Sequence, residues 1–410
     1  MNTLRVNGER LWATLMQMAE IGPGIEGGCN RQALTDDDKR GRDQFVAWTK
    51  ELGCSISIDE VGNIFARRAG RDANTAPVLV SSHLDTQRTG GKFDGVYGVL
   101  AGIELLRTLN EQGIATHRPI DLAVWTNEEG CRFAPAMLGS GVVSGVYSKT
   151  DAYAQTDKSG LTFEAELKRI GYCGDRPAAP TELSAAFELH IEQGPVLERN
   201  GKTIGVVTGI QGAVWLDVTV KGASAHAGTT PMPMRRDPWP AATNIIQQSL
   251  KLTQDYAPNG LCTIGTIQAS PGARNTVPTT LRFSIDLRNP DAATLEEMTA
   301  KVKALAEKAC ADHGLELTFE QIWKMEPTPF ASELIDIVDR AAETLGLSRQ
   351  KIFSGAGHDA LHVAQFAPTT MIFIPSINGL SHNEAEHSTP EDITAGANVL
   401  LHAVLEVANR

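Results

Sequence analysis

Four apolar runs in this chain end in residues that can bind a metal ion or carry a proton. The first, Val78-Leu-Val-Ser-Ser-His83-Leu-Asp85, closes on a histidine. Asp85, two residues on, shares its face in extended geometry and is expected to hold the imidazole's second nitrogen, as carboxylates do behind metal-bound histidines. Eleven residues after His83, Asp94 stands in Gly90-Gly-Lys-Phe-Asp94-Gly-Val-Tyr-Gly98, whose glycines let the loop fold back toward His83. The next run ends in Thr126-Asn-Glu128-Glu129-Gly130. Two adjacent carboxylates repel one another, and a dication relieves that repulsion, with one carboxylate binding metal and the other moving protons. A third run ends at His190-Ile-Glu192-Gln193-Gly-Pro195, and a fourth precedes Ser376-Ile-Asn-Gly-Leu-Ser-His382-Asn-Glu-Ala-Glu-His387. A lone histidine at a strand end is more often a hydrogen-bonded structural residue, so the weight rests on the combination.

The elements that must position these residues alternate short β-branched runs with helical stretches, the pattern of an α/β sheet. Strands are predicted at 76–82, 120–126, 186–191 and 369–374, and helices at 95–112, 135–145, 333–345 and 390–407. The first, second and last strands are almost wholly apolar, as strands covered on both faces are. The middle of the chain differs. Strands at 214–221, 262–269, 279–288 and 315–322, with helices at 238–256 and 292–313, give the order βαββαβ, a compact unit able to fold alone. The expected architecture is a catalytic α/β domain with a mixed, helix-covered sheet, formed by 1–212 and 329–410. A ferredoxin-like lid and dimerisation domain, 213–328, interrupts it, with Pro327 and Pro329 marking the second boundary.

With 410 residues, two domains are the natural expectation, and 42% hydrophobic with 21% charged residues is ordinary globular composition. A net charge of -12 argues against nucleic acid as a partner, because phosphate binding relies on clustered Lys and Arg. The longest apolar stretches fall far short of the roughly 20 residues of a membrane span. The segment Met1 to Arg10 is polar and lacks the apolar core of a secretory signal, so a cytoplasmic location is expected. The six cysteines contain no CxxC pair and read as reduced.

The order SHLDT, FDGVYGV, TNEEG, LHIEQGPVL and GLSHNEAEH resembles the amidase and carbamoylase branch of the dinuclear metallopeptidase superfamily, from about Asn7 to the C-terminus. The resemblance implies two divalent ions per subunit, zinc or manganese, with cobalt or nickel also suited. It places His83 and His190 on one ion, Glu129 and His382 on the other, and Asp94 between them. Asp85 becomes an orienting residue and Glu128 the general base and acid. Many peptidase relatives carry a carboxylate at the position of His190, and Glu192 on the same strand face is a rival ligand.

The resemblance extends to the substrate side. His226, in Gly222-Ala-Ser-Ala-His226-Ala-Gly-Thr-Thr-Pro231, corresponds to a histidine that polarises the scissile carbonyl in the partner subunit's site of a homodimer; by itself it reads equally as a structural turn residue. Asn275 and Arg288 match positions that bind a substrate carboxylate, for which a planar guanidinium suits better than an ammonium. Gln193 and the Gly355-Ala-Gly357-His358-Asp359 turn complete the implied pocket. HIEQGP and SGAGHD resemble enzymes that cut ureido groups, which implies a small ureido substrate bearing a carboxylate: an N-carbamoyl-L-amino acid or N-carbamoyl-β-alanine. Allantoate hydrolysis is the nearest alternative, and an aminoacylase or dipeptidase of the same fold a further one. A noncatalytic metal-binding protein would lack a proton carrier, and Glu128 is present.

Overall fold

The computed structural model describes residues 4–410, so the first three residues of the N-terminal segment lie outside the described residues. The chain divides into two compact units: one made of residues up to 209 together with 329–410, the other of residues 210–328.

The first unit is built on a mixed sheet. Its strands are β1 (Ser55–Ile58), β2 (Ile64–Arg68), β3 (Val78–His83), β4 (Ile120–Trp125), β5 (Ala185–Ile191) and β6 (Ile204–Ile210), joined late in the chain by β14 (Thr328–Pro329), β15 (Arg349–Ser354) and β16 (Thr369–Ile374). The order is β1-β2-β4-β3-β5-β16-β6-β14, with β15 also on β6. Strands β4, β3, β5 and β16 run parallel, whereas β2 and β6 flank them antiparallel. Every residue of the four parallel strands is buried. Helices cover both faces, as parallel strands require. Gly8–Ala19, Val96–Glu111 and Pro390–Ala408 pack together in one layer. On the opposite face Leu79, Ala123 and Trp125 meet Val143 and Val363. Each Leu or Val side chain so removed from water contributes roughly 1.5–3 kcal/mol.

The second unit holds β7 (Gly212–Lys221), β8 (Ala225–His226), β9 (Leu261–Thr263), β10 (Ile267–Ser270), β11 (Thr276–Val277), β12 (Thr280–Asn289) and β13 (Glu316–Met325). Its antiparallel sheet has the order β10-β12-β7-β13, the ferredoxin-like arrangement, with β9 on β12. Alternate residues Val214, Leu216, Val218 and Val220 face the same core as Leu281, Phe283, Ile285 and Leu287, against the helices Trp239–Leu252 and Ala292–Asp312.

The single strand expected at 262–269 is two strands. Thr263 pairs with Asp286 and Ile267 with Phe283, so one extra residue lies between the pairs on this side. The surplus falls within residues 264–266, where the Ser284 hydroxyl accepts the Thr266 N–H that the ladder leaves behind. Helices Gly8–Ala19 and Asp36–Glu51 were outside the sequence expectation. Asn7 and Thr35 cap them by accepting the N–H of Arg10 and Asp38.

Candidate metal centre

Because β3, β4, β5 and β16 are parallel, their C-terminal ends emerge at one edge of the sheet, where open α/β sheets bind ligands. His83 is the last residue of β3, Glu128 and Glu129 follow β4, His190 lies near the end of β5, and His382 follows β16. Asp94 comes from the β3 exit loop. The Val96 N–H donates to the Asp94 carbonyl at 2.7 Å, which closes a γ-turn around Gly95 (φ 67°, ψ −48°). A Cβ on Gly95 would lie 2.3 Å from the His83 ring, so the turn requires glycine.

The Nδ1 atoms of His83 and His190 each sit 2.9 Å from a backbone carbonyl, those of Asp85 and Ile191. A carbonyl only accepts, so Nδ1 carries a proton in each, and Nε2 is the acceptor atom of a neutral ring; that of His190 takes the Gly95 N–H at 3.1 Å. Both Nε2 atoms face Asp94. Its Oδ1 is 3.7 Å from His83 Nε2 and 3.2 Å from His190 Nε2, and its Oδ2 is 3.5 Å from His382 Nε2. Glu129 Oε2 lies 3.4 Å from the same His382 nitrogen, and Glu128 Oε2 lies 3.5 Å from His83 Nε2. Among the described residues, three groups could hold an ion, each with its atoms within 4.8 Å: His83–Asp94–His190, Asp94–Glu129–His382 and, behind His190, Glu188–His190–His358; Asp94 belongs to the first two.

The electrostatics fit a cation. Burial, and then the charges of Asp359, Glu129, Asp94 and Asp85, push the Glu128 carboxyl well above its ordinary value. Burial, Asp94 and Asp85 do the same to Glu129. Burial lowers His83 to about 4. Burial also works against a charged His190, but Asp94 and Glu188 outweigh it and lift that imidazole to about 9, so positive charge is favoured between His190 and Asp94. Imidazole nitrogens with carboxylate oxygens suit zinc, manganese, cobalt or nickel.

Two expectations resolve differently from the linear pattern. Asp85 does not hold the second nitrogen of His83 through its carboxylate, since its backbone carbonyl already satisfies that nitrogen. The carboxylate instead accepts the consecutive N–H groups of Glu128 and Glu129, both at 3.3 Å, which the positive φ of Asn127 (58°) turns toward it. Glu192 turns away from both groups that share Asp94. Its carboxylate accepts the N–H of Val196 and Leu197, each at 2.8 Å, at the start of the helix Val196–Arg199.

Around the ligands, Gln193 Nε2 donates to Asp94 Oδ2 at 2.9 Å. His358 is buried, with its ring centroid 4.5 Å from that of His190 and its Nε2 3.0 Å from Ser354 Oγ. A Cβ on Gly357 would meet the Met137 methyl at 3.0 Å. Sequence reasoning missed several supporting groups. Glu188 accepts from Ser82 Oγ (2.9 Å) and the Ala360 N–H (3.0 Å) beneath His190. Gln87 holds Glu129 through its N–H (3.0 Å) and its amide (2.7 Å). Glu386 accepts the N–H groups of Phe93 and Asp94 at 3.2 and 3.1 Å. Glu386 lies inside GLSHNEAEH and Gln87 directly follows SHLDT, and that proximity was the available signal. Asn127, Gln193 and His382 all have positive φ (58°, 57° and 52°), backbone strain of the kind that collects at functional sites.

The remaining sequence-predicted residues lie in the second unit. His226 and Asn275 are brought together there: β8 pairs with β11 at His226 and Thr276, and the Ala227 N–H donates to the Asn275 carbonyl at 2.9 Å. His226 Nδ1 accepts the N–H of Gly228 (3.0 Å) and of Thr229 (3.2 Å), so the proton of the neutral ring is on Nε2. Arg288 lies on β12, where Asp286 Oδ2 accepts from its Nη2 at 2.9 Å and from Trp215 Nε1 at 3.2 Å.

Comparison with known proteins agrees with this arrangement. Residues 79–406 match the model of peptidase family M20/M25/M40. An N-carbamoyl-L-amino-acid amidohydrolase from Rhizobium meliloti is 49% identical over 404 residues, covering 98% of this chain and 97% of that protein. An allantoate amidohydrolase from Escherichia coli K12 is 35% identical over 397 residues, covering 96% and 97%. The solved structure of an amidase of the hydantoinase/carbamoylase family from Burkholderia multivorans superposes with a TM-score of 0.96 at 50% identity, covering 100% of this chain and 99% of that one. This chain therefore belongs to the metal-dependent peptidase family M20/M25/M40, among its hydantoinase/carbamoylase amidases.

Proposed function

We propose that this protein binds two divalent ions, zinc or manganese, and hydrolyses the carbamoyl amide bond of N-carbamoyl amino acids to the amino acid, carbon dioxide and ammonia. The observation that carries the reading is Asp94, which turns one carboxylate oxygen to His83 and His190 and the other to His382. His83 and His190 would hold one ion, Glu129 and His382 the other, with Asp94 shared. A bound ion pair supplies Lewis acidity, which acidifies water and polarises a carbonyl oxygen.

The protein's own groups move the protons. Glu128 is buried, its Oε2 3.5 Å from His83 Nε2, which places its carboxylate to take a proton from water and pass it to the leaving nitrogen. Asp85, by accepting the Glu128 and Glu129 N–H groups, fixes the backbone from which both carboxylates project. The Nε2–H of exposed His226 is a donor suited to a developing oxyanion. Arg288, with Asn275, would bind the substrate carboxylate. In this reading residues 213–328 form a lid and dimerisation domain, and His226 acts in the partner subunit's site of a homodimer. Mixing inactive His226→Ala and Glu128→Gln subunits should then restore activity in heterodimers, whereas action within one chain leaves the mixture inactive. The six cysteines are free, which supports a cytoplasmic setting, and no described helix is long and apolar enough to cross a membrane.

The test is ammonia release from several N-carbamoyl-L-amino acids, N-carbamoyl-β-alanine and allantoate, assayed side by side with manganese or zinc. Faster turnover of N-carbamoyl amino acids supports the proposal. Preference for allantoate selects the alternative represented by the Escherichia coli relative. Cleavage of N-acyl amino acids or dipeptides, with no ammonia from carbamoyl compounds, makes it an aminoacylase or dipeptidase.

A further inference from the structure

The segment Gly22-Pro-Gly-Ile-Glu-Gly-Gly-Cys29 is far in sequence from every ligand, yet it grips two of the loops that carry them. One grip is on the His382 loop. Glu384 Oε1 accepts the Ile25 N–H at 3.2 Å, and Oε2 accepts those of Glu26 at 2.6 Å and Gly28 at 3.0 Å. The other grip is on the Asp94 loop, where Cys29 and Gly90 exchange backbone hydrogen bonds of 2.8 and 2.9 Å. The close approach leaves no room for larger residues: a Cβ on Gly24 would lie 2.2 Å from Glu384 Oε2, and one on Gly28 would lie 2.2 Å from the Gly90 carbonyl oxygen and 2.7 Å from Glu384 Cα. Ile25 at the tip is 99% exposed, so the apolar residue of the turn adds no burial. Several N–H groups donating to one carboxylate are charge-assisted and individually stronger than neutral hydrogen bonds.

His382 needs such an anchor. Its side chain is 52% exposed and its φ is 52°, so neither packing nor ordinary backbone preference holds it in place. By contrast, His83 and His190 are buried within strands. Glu386 ties the far side of the His382 loop to the Phe93 and Asp94 N–H groups, and Glu384 ties its outer side.

We infer that Glu384, clasped by the backbone N–H groups of residues 25–28, is the positioning residue that keeps His382 facing Asp94 and Glu129. It thereby sets the metal affinity of the Asp94–Glu129–His382 group. The inference rests on the two-ion reading above and adds the N-terminal glycine loop to the metal centre.

The test measures bound metal rather than turnover. Protein loaded with manganese, and in parallel with zinc, is dialysed against graded chelator, and the ions retained per chain are counted for the wild type, Glu384→Ala, Glu384→Gln and His382→Ala. For Glu384→Ala, one of the two ions should be lost at a chelator concentration about tenfold or more below that needed for the wild type, the usual scale for removing a partner that orients a ligand. The second ion should stay, which also shows that the chain is folded. Glu384→Gln keeps one acceptor oxygen and should fall between the two. Wild-type retention of both ions in Glu384→Ala, with one lost in His382→Ala, overturns the inference and leaves the two-ion reading standing. Equal loss of both ions from Glu384→Ala also overturns it, because the residue then supports the fold and not His382. If the wild type binds a single ion, or His382→Ala keeps two, the two-ion reading fails and the inference falls with it.

Discussion

Replacing Gly95 with alanine tests the geometry of the centre without touching a ligand. Gly95 adopts φ 67° and ψ −48°, a region that costs a residue with a Cβ on the order of 1–3 kcal/mol. The added methyl would sit 2.3 Å from the His83 ring, whereas carbon contacts settle at roughly 3.5–4.0 Å. Either His83 or the turn that carries Asp94 must retreat by about 1 Å, well beyond the roughly 0.2 Å tolerance of a metal–ligand distance. The expected result is a lower melting temperature, loss of the ion shared by His83, Asp94 and His190, and a kcat reduced on the order of 10²-fold, the scale of a 1 Å misplacement. Elemental analysis, thermal unfolding and steady-state kinetics read the three effects separately. Full metal content with kcat within twofold of wild type would refute the reasoning, since the close approach of Gly95 to His83 would then have no bearing on the centre.

Other substitutions separate roles that the structure distinguishes. Glu128→Gln should lower kcat by roughly 10²–10⁴-fold while both ions remain, because proton transfer is lost and the ligand set is intact; substantial residual turnover would remove Glu128 from the mechanism. His190→Ala should lose metal and Glu192→Ala should not, as Glu192 is occupied at the Val196–Arg199 helix; metal loss from the Glu192 variant alone would reverse that assignment. Arg288→Ala should raise KM for carboxylated ureido substrates with little change in kcat, and an unchanged KM counts against its role. Arg42→Leu leaves Asp38, its fully buried partner at 2.8 Å, without a counter-charge, and a loss of about 3–5 kcal/mol is expected in denaturant titration. A change below about 1 kcal/mol would show that the pair is not stabilising in this setting.

The ligand types, their order and their placement at the ends of apolar strands were legible in the sequence. Burial on both faces demands continuous apolar runs, and polar residues stand out where such runs stop. The βαββαβ order of residues 213–328 was legible for a similar reason, since alternation along β7 and β12 separates core from exposed positions. The second carboxylate of the pair at 128–129 could be seen, but its task could not be read from spacing.

Tertiary structure decided what linear distance hides. That Asp94 divides its two oxygens between histidines from three separate strand ends depends on a γ-turn and on parallel strand order. Extended geometry pointed Asp85 at His83, but the left-handed Asn127 redirected two N–H groups toward the carboxylate and changed its partner. Glu192 stood as a rival to His190, the favoured ligand, until the short helix after β5 used its carboxylate as a cap. Glu384 and residues 24–28 lie more than 350 positions apart, and backbone N–H groups that clasp a carboxylate leave no mark in residue type beyond a few glycines. Residue chemistry is local and survives in a linear reading, whereas the hydrogen bonds that aim it are made between distant segments and exist only once the chain has folded.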